Sequence, residues 1–214
     1  MNKRAIILLS AVTLVAGCHR PGIKGDGVIK TETRPIADFS GIAAAGGYEI
    51  EWSSDKPALT LSADENLLPL IRTEVNDDTI KIDSKENLRP TQSITIILSS
   101  ASLAEVKLTG GNRFRARALS GSKLKLKSTG ASEISVEGSV AELEATLTGA
   151  SKLDAKSLQT RTATLSLIGA SEADVTVTDT LKVSVTGAGS LTYSGNPKSV
   201  EQEVTGAGSI RPRP

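Results

Sequence analysis

Few side chains in this 214-residue sequence can carry covalent or metal chemistry, and two of them stand together: the single cysteine, Cys18, and the single histidine, His19. Beyond them there is no Ser-His-Asp or Cys-His arrangement and no ordinary zinc site. One cysteine also leaves no intramolecular disulfide. What remains are carboxylates. Asp154 and Asp174 each stand five residues after a recurring glycine, so a stacked fold brings them onto neighbouring strands. A carboxylate pair about 5 Å apart suits a retaining glycosidase, with one group as acid and the other as nucleophile. The same pair could supply part of a calcium ion's oxygen shell. The third alternative, two solvated aspartates answered by Lys152 or Lys156, is the one carried forward, so no catalytic residue, cofactor or metal is assigned. Trp52 and Tyr48 alternate on one short stretch. They could form a sugar platform, but packing beneath the first coil is expected. The glycine-rich corners recur at structural spacing with no helix after them, which argues against a phosphate loop.

The N-terminus reads as an export signal. Lys3 and Arg4 precede an apolar stretch from Ala5 to Val15, broken only by Ser10 and Thr13. It is too short to span a bilayer as a stable helix. Val15-Ala16-Gly17-Cys18 then resembles a bacterial lipobox. That resemblance implies cleavage before Cys18 and up to three acyl chains on the new terminus. Two or more chains anchor a protein stably, whereas one holds it only marginally. In proteobacterial sorting an aspartate after the cysteine favours the inner membrane; His19 in its place implies an outer-membrane lipoprotein, facing the periplasm or the surface. The expected division is a signal peptide over 1–17, a lipidated cysteine and flexible Pro- and Gly-containing tether over 18–34, and one domain over 35–214.

The elements that must position any site come from an internal repeat. Thr109-Gly110-Gly111-Asn112, Thr129-Gly130-Ala131-Ser132, Thr148-Gly149-Ala150-Ser151, Ile168-Gly169-Ala170-Ser171, Thr186-Gly187-Ala188-Gly189 and Thr205-Gly206-Ala207-Gly208 place their leading glycines 20, 19, 20, 18 and 19 residues apart. Two residues before the glycine stand Leu108, Ser128, Leu147, Leu167, Val185 and Val204; four after it stand Phe114, Ile134, Leu153, Ala173, Leu191 and Ile210. Even offsets are apolar and odd offsets polar, the period of strands with one buried face. A unit this short cannot bury its own apolar face, but stacked units bury a continuous core. The fold expected is therefore all-β: a right-handed parallel β-solenoid with coils of about 19 residues, its hand following the usual parallel crossover. Two odd columns support the register. Arg113, Glu133, Lys152 and Glu172 alternate in charge, as do Glu105, Lys125 and Glu144, and opposite charges on adjacent strands attract.

Residues 36–100 lack the glycine motif but show short strands around 48–52, 58–62, 71–75, 80–83 and 93–98, with one helical turn within Asp64 to Leu70. They are expected to form irregular first coils that cap the solenoid. Phe39-Ser40-Gly41-Ile42, Gly46-Gly47-Tyr48-Glu49-Ile50, Asn66-Leu67-Leu68 and Ile80-Lys81-Ile82, followed by the Gly-Ala-Ser and Gly-Ala-Gly corners, resemble the auto-transporter adhesin head GIN domain family over roughly residues 35–210. The resemblance implies a β-helix-like domain on exported, often lipid-anchored envelope proteins, with no catalytic residues to carry over.

With 25 Lys and Arg against 24 Asp and Glu, no basic excess points to nucleic acid. The function expected is a lipid-anchored, non-enzymatic envelope protein that offers a solenoid face to a polysaccharide or an envelope protein, with the membrane as partner through its anchor. A structural or stress-related periplasmic lipoprotein and a polysaccharide-active β-helix enzyme are the alternatives.

Overall fold

Neighbouring coils can stack at strand distance only if the corner of each leaves room for the next, and here one residue type provides that room. The computed structural model describes residues 22–213; the expected signal peptide over 1–17, Cys18 and His19 lie outside the described residues. Nine strands come before the regular repeats: β1 (Ile23–Lys24), β2 (Ile29–Arg34), β3 (Gly41–Gly46), β4 (Tyr48–Ser54), β5 (Ala58–Asp64), β6 (Ile71–Asn76), β7 (Thr79–Ser84), β8 (Leu88–Arg89) and β9 (Ile94–Ser100). The repeats are β10 (Glu105–Gly110), β11 (Arg113–Gly130), β12 (Glu133–Gly149), β13 (Lys152–Gly169), β14 (Glu172–Gly187), β15 (Ser190–Ser194), β16 (Ser199–Gly206) and β17 (Ser209–Pro212). Among the described residues a single 3-10 turn, Leu68–Leu70, lies between β5 and β6.

The repeats form a parallel β-solenoid. Before the corner, β3, β10, β11, β12, β13, β14 and β16 pair side by side; after it, β4, β11, β12, β13, β14, β15 and β17 do the same. The even-offset side chains point inward, and Leu108, Phe114, Leu143, Leu147, Leu165, Leu167, Leu181 and Val185 are at most 2% exposed. A fully buried leucine stabilises by about 1.5–3 kcal/mol. A one-residue slip of β12 would turn both Leu143 and Leu147 outward and lose on the order of 3–6 kcal/mol. Register is therefore set by the core. Ser128, the polar residue in an otherwise apolar column, is buried and shares a 2.8 Å hydrogen bond with the Ser151 hydroxyl.

At the corners Gly110, Gly130, Gly149, Gly169, Gly187 and Gly206 hold φ between +96° and +121°. A Cβ on Gly149 would lie 2.3 Å from the Gly130 carbonyl oxygen, and the others meet the preceding glycine just as closely. The approach is used: Ala131, Ala150, Ala170 and Ala188 donate their N–H to the glycine carbonyl one coil back, at 2.8–3.0 Å. The buried Ser132, Ser151 and Ser171 hydroxyls donate to the same carbonyls at 3.2–3.3 Å. The serine column is thus consumed by the fold. Asn112 takes its place on the first regular coil, accepting from the Tyr48 N–H at 3.2 Å and donating to the Thr109 carbonyl at 2.9 Å.

The cap departs from sequence order. β7 and β9 lie in parallel beneath β3 and β4, which therefore sit between that pair and the β10–β11 coil although they precede both in the chain. Three strands then close the end antiparallel: β6 on β7, β5 on β9 and β2 on β5. The expected flexible tether over 18–34 is corrected from residue 22 onward, because β1 pairs with β8 and β2 with β5. The cause is Asp64, which is fully buried. Its carboxylate accepts the Gly27 N–H at 2.9 Å and the Thr91 N–H and hydroxyl at 2.9 and 2.6 Å. Gly25 lies so close that a Cβ there would be 2.2 Å from the carboxyl carbon. Hydrogen bonds from Thr91, first among the causes, hold the Asp64 carboxyl below the usual carboxylate range.

Two outcomes follow from this architecture. Gly149→Val should lower the urea midpoint of the domain, since a non-glycine residue in that conformation costs about 1–3 kcal/mol before the clash is counted; an unchanged midpoint would disprove the corner's role. Because the folded pKa of Asp64 is depressed, its stabilisation is complete above the pKa of a free aspartate and fades as pH falls through the lower folded value. Asp64→Asn should therefore destabilise the domain at neutral pH and flatten its acid limb, read as thermal midpoints between pH 7 and pH 2.

Candidate binding face

Parallel in-register stacking turns every outward position into a row that runs along the solenoid. Three residues after the corner the row reads Glu49, Arg113, Glu133, Lys152, Glu172, Ser190 and Ser209. Arg113 bridges Glu49 at 2.6 Å and Glu133 at 3.0 Å, and Lys152 reaches Glu172 at 3.4 Å. The expected alternation of Glu133, Lys152 and Glu172 is in register. Glu49 extends it by one rung, and the signal for that was local: Glu49 stands three residues after Gly46, which joins the corner column as its first member.

Before the corner, Lys125 faces Glu105 on one side and Glu144 on the other. Lys125 pairs with Glu144 at 3.5 Å, while Glu105 turns to Lys107 on its own strand at 2.8 Å. Lys123 contacts both Glu142 and Glu144, at 2.8 and 3.1 Å. Its hydrogen bonds to those carboxylates push the Lys123 ammonium pKa up, and the bond from Lys123 pulls Glu144 down.

Five residues after the corner stand Glu51, Arg115, Ser135, Asp154, Asp174, Thr192 and Arg211, each in register with the next. Asp154 and Asp174 are thus adjacent, as their spacing predicts, but each has its own cation. Lys156 meets Asp154 at 2.9 Å, and Arg213, 39 residues away, meets Asp174 at 2.5 Å. Lys152 answers Glu172 instead. Burial works against the charge on Asp154, but hydrogen bonds from Lys156 and the fields of Lys156 and Arg213 outweigh it and hold the carboxyl below its ordinary value. A glycosidase acid needs the opposite shift. Among the described residues no three His, Cys, Asp or Glu side chains gather as a metal site would require. Tyr48 and Trp52 are 2% and 3% exposed, and the Trp52 indole donates to the Ser100 hydroxyl at 2.9 Å. They pack the core and offer no platform.

What the face does offer is arginine. Arg113, Arg115 and Arg117 alternate on β11 with Phe114 and Ala116, which point inward. A groove of about 250 Å³ runs between rungs, lined by Arg113, Arg115, Glu133, Ser135, Lys152 and Asp154. Beside it a smaller hollow of about 110 Å³ includes Arg115, Arg117 and the exposed Ile97. Arg115 has only a 3.7 Å contact with Glu51, and Arg117 forms no ion pair among the described residues. Guanidinium forks with spare donors suit carboxylate, sulfate or phosphate groups on a ligand.

Comparison with known proteins agrees with this architecture. The model of the family described as "putative auto-transporter adhesin, head GIN domain" matches residues 38–197. Among solved structures, a putative adhesin from Bacteroides fragilis is similar at 20% identity, covering 90% of this chain and 100% of the other with a TM-score of 0.75. A putative lipid binding protein from Parabacteroides distasonis (24% identity, 90% and 99% covered, TM-score 0.56) and a putative adhesin from Parabacteroides merdae (20%, 90% and 99%, 0.56) share the fold. At these identities the likeness is one of fold. No curated protein matches the sequence.

The charge row has a measurable consequence. Lys152→Glu sets a carboxylate between Glu133 and Glu172, side chains 63% and 59% exposed. The loss should stay under about 1 kcal/mol and shrink with salt. Denaturation midpoints at low and high ionic strength should show it, and Glu172→Lys in the same chain should recover part of it. Equal losses at both salt concentrations would remove the electrostatic account.

Proposed function

The chain belongs to the family described as "putative auto-transporter adhesin, head GIN domain", and on that premise we propose that it is a lipid-anchored protein of the outer membrane whose solenoid binds an envelope or cell-surface partner without catalysing a reaction. In this reading residues 1–17 are removed on export and Cys18 carries the acyl chains. The family membership supports an adhesin-like role at the cell envelope. The observation that carries the binding role is the groove between Arg113, Arg115, Lys152 and Asp154, part of an open face of exposed, charged rows. Such a face suits an extended polar ligand that spans several rungs, and acidic polysaccharide fits best the spare guanidinium donors of Arg115 and Arg117. The ion pairing of Asp154 and Asp174 disfavours glycoside cleavage.

Three measurements test the proposal. Cys18→Ala should abolish acyl labelling and leave the precursor uncleaved; normal labelling would remove the anchor from the account. Purified residues 19–214 on a glycan array should retain acidic glycans and release them with salt. Arg115→Ala together with Arg117→Ala should weaken that binding about tenfold or more, given ~1.5–3 kcal/mol for a hydrogen bond to a charged group. Surface labelling of intact cells separates an adhesin from a periplasmic structural lipoprotein: labelling is expected, and its absence would favour the second reading.

A further inference from the structure

Only His19, Arg20 and Pro21 separate Cys18 from Gly22, and from Gly22 onward the chain is bound to the cap. The Ile23 N–H donates to the Asn87 carbonyl at 2.8 Å and the Gly25 N–H to the Arg89 carbonyl at 3.0 Å. The Asp26 N–H donates to the Asn66 side chain at 3.0 Å, and Gly27 is held by the buried Asp64. Four residue steps, fully extended, reach at most about 14 Å. The polar layer on each side of a bilayer is about 5–8 Å thick. So short a link keeps the end of the solenoid that carries β1 and β2 within about 14 Å of the acyl chains, closer to the headgroups than any other part of the domain.

That end has the side chains such a position calls for. Ile23, Val28 and Ile29 are 38%, 51% and 38% exposed. Lys24 and Lys30 interleave with them, and Arg89 pairs with Lys24 across β1 and β8. Lys30 is itself paired with Glu65, and Asp26 accepts the Val28 N–H at 3.0 Å, so Lys24 and Arg89 carry the basic character of this end. Apolar side chains among basic ones match a bilayer interface with anionic headgroups.

We propose that the β1–β2 end of the solenoid docks on the bilayer that holds the anchor, with Ile23, Val28 and Ile29 at headgroup level and the rungs rising away from it. The proposal rests on the lipidation of Cys18. It sets the binding face upright: β17 lies nine strand positions from β2 in the sheet, or roughly 43 Å at ~4.8 Å per strand.

The test uses the acylated full chain in vesicles of phosphatidylethanolamine and phosphatidylglycerol. Acylation occupies Cys18, so a single introduced cysteine takes an environment-sensitive fluorophore. Flotation and intact mass report the anchor, and quenching by headgroup-level spin-labelled lipid reports depth. Labels on Val28→Cys and, independently, Ile23→Cys should shift to the blue and be quenched several-fold more than a label on Ser209→Cys. A protein that carries its acyl chains and floats, yet leaves all three labels equally exposed to water, would overturn the docking while sparing the anchor. A protein with no acyl mass that does not float would overturn the reading of Cys18 and the docking together.

Discussion

Successive corners approach so closely that the carbonyl oxygen of one glycine occupies the space a Cβ of the next would need, 2.3–2.6 Å away along the column from Gly110 to Gly206. The rest of the solenoid depends on this approach. It lets the alanine N–H and the buried serine hydroxyl of successive corners reach the carbonyl beneath, so these groups stay paired in a tightly bent backbone. It also keeps the coils in register through the corner, from Thr109 beside Thr129 to Gly149 beside Gly169.

In-register stacking on either side of each corner has a chemical consequence on the outside. Each outward position becomes a row, so like charges would stack unless the sequence alternated them. The rows through Arg113 and Lys125 do alternate, and their exposed pairs add little stability next to the core. Their effect is on the character of the face, which is charged and exposed. Where alternation lapses, at Asp154 and Asp174, cations from Lys156 and Arg213 take over. Such a surface is suited to recognition over many weak contacts rather than to a reaction at one point.

The two ends differ. At the first end β2, β5 and β6 run antiparallel to their neighbours and close the core, clasped by the buried Asp64. At the other, β16 is exposed along its whole length and the inward valines Val200 and Val204 are 37% and 43% exposed. Polarity of this kind makes the two ends chemically distinct, and the groove beside Arg115 lies between them.

What the sequence by itself determined is everything that repeats. The alternation of apolar residues, the glycine spacing of 18–20 residues, the alternating charges and the pairing of Asp154 with Asp174 are periodic signals, and a parallel stack copies a period directly into contacts. Tertiary structure decided what breaks the period. Gly46 belongs to the glycine column, yet it stands 64 residues before Gly110, because the chain leaves to build β5 to β9 before returning. Which cation answers each carboxylate was also hidden, since Arg213 reaches Asp174 from a later coil. The clasp that turns the Gly-rich segment from tether into strand was hidden most fully. Gly22, Gly25 and Gly27 look flexible when read alone; a buried carboxylate 37 residues further on makes their lack of side chains a condition of close packing.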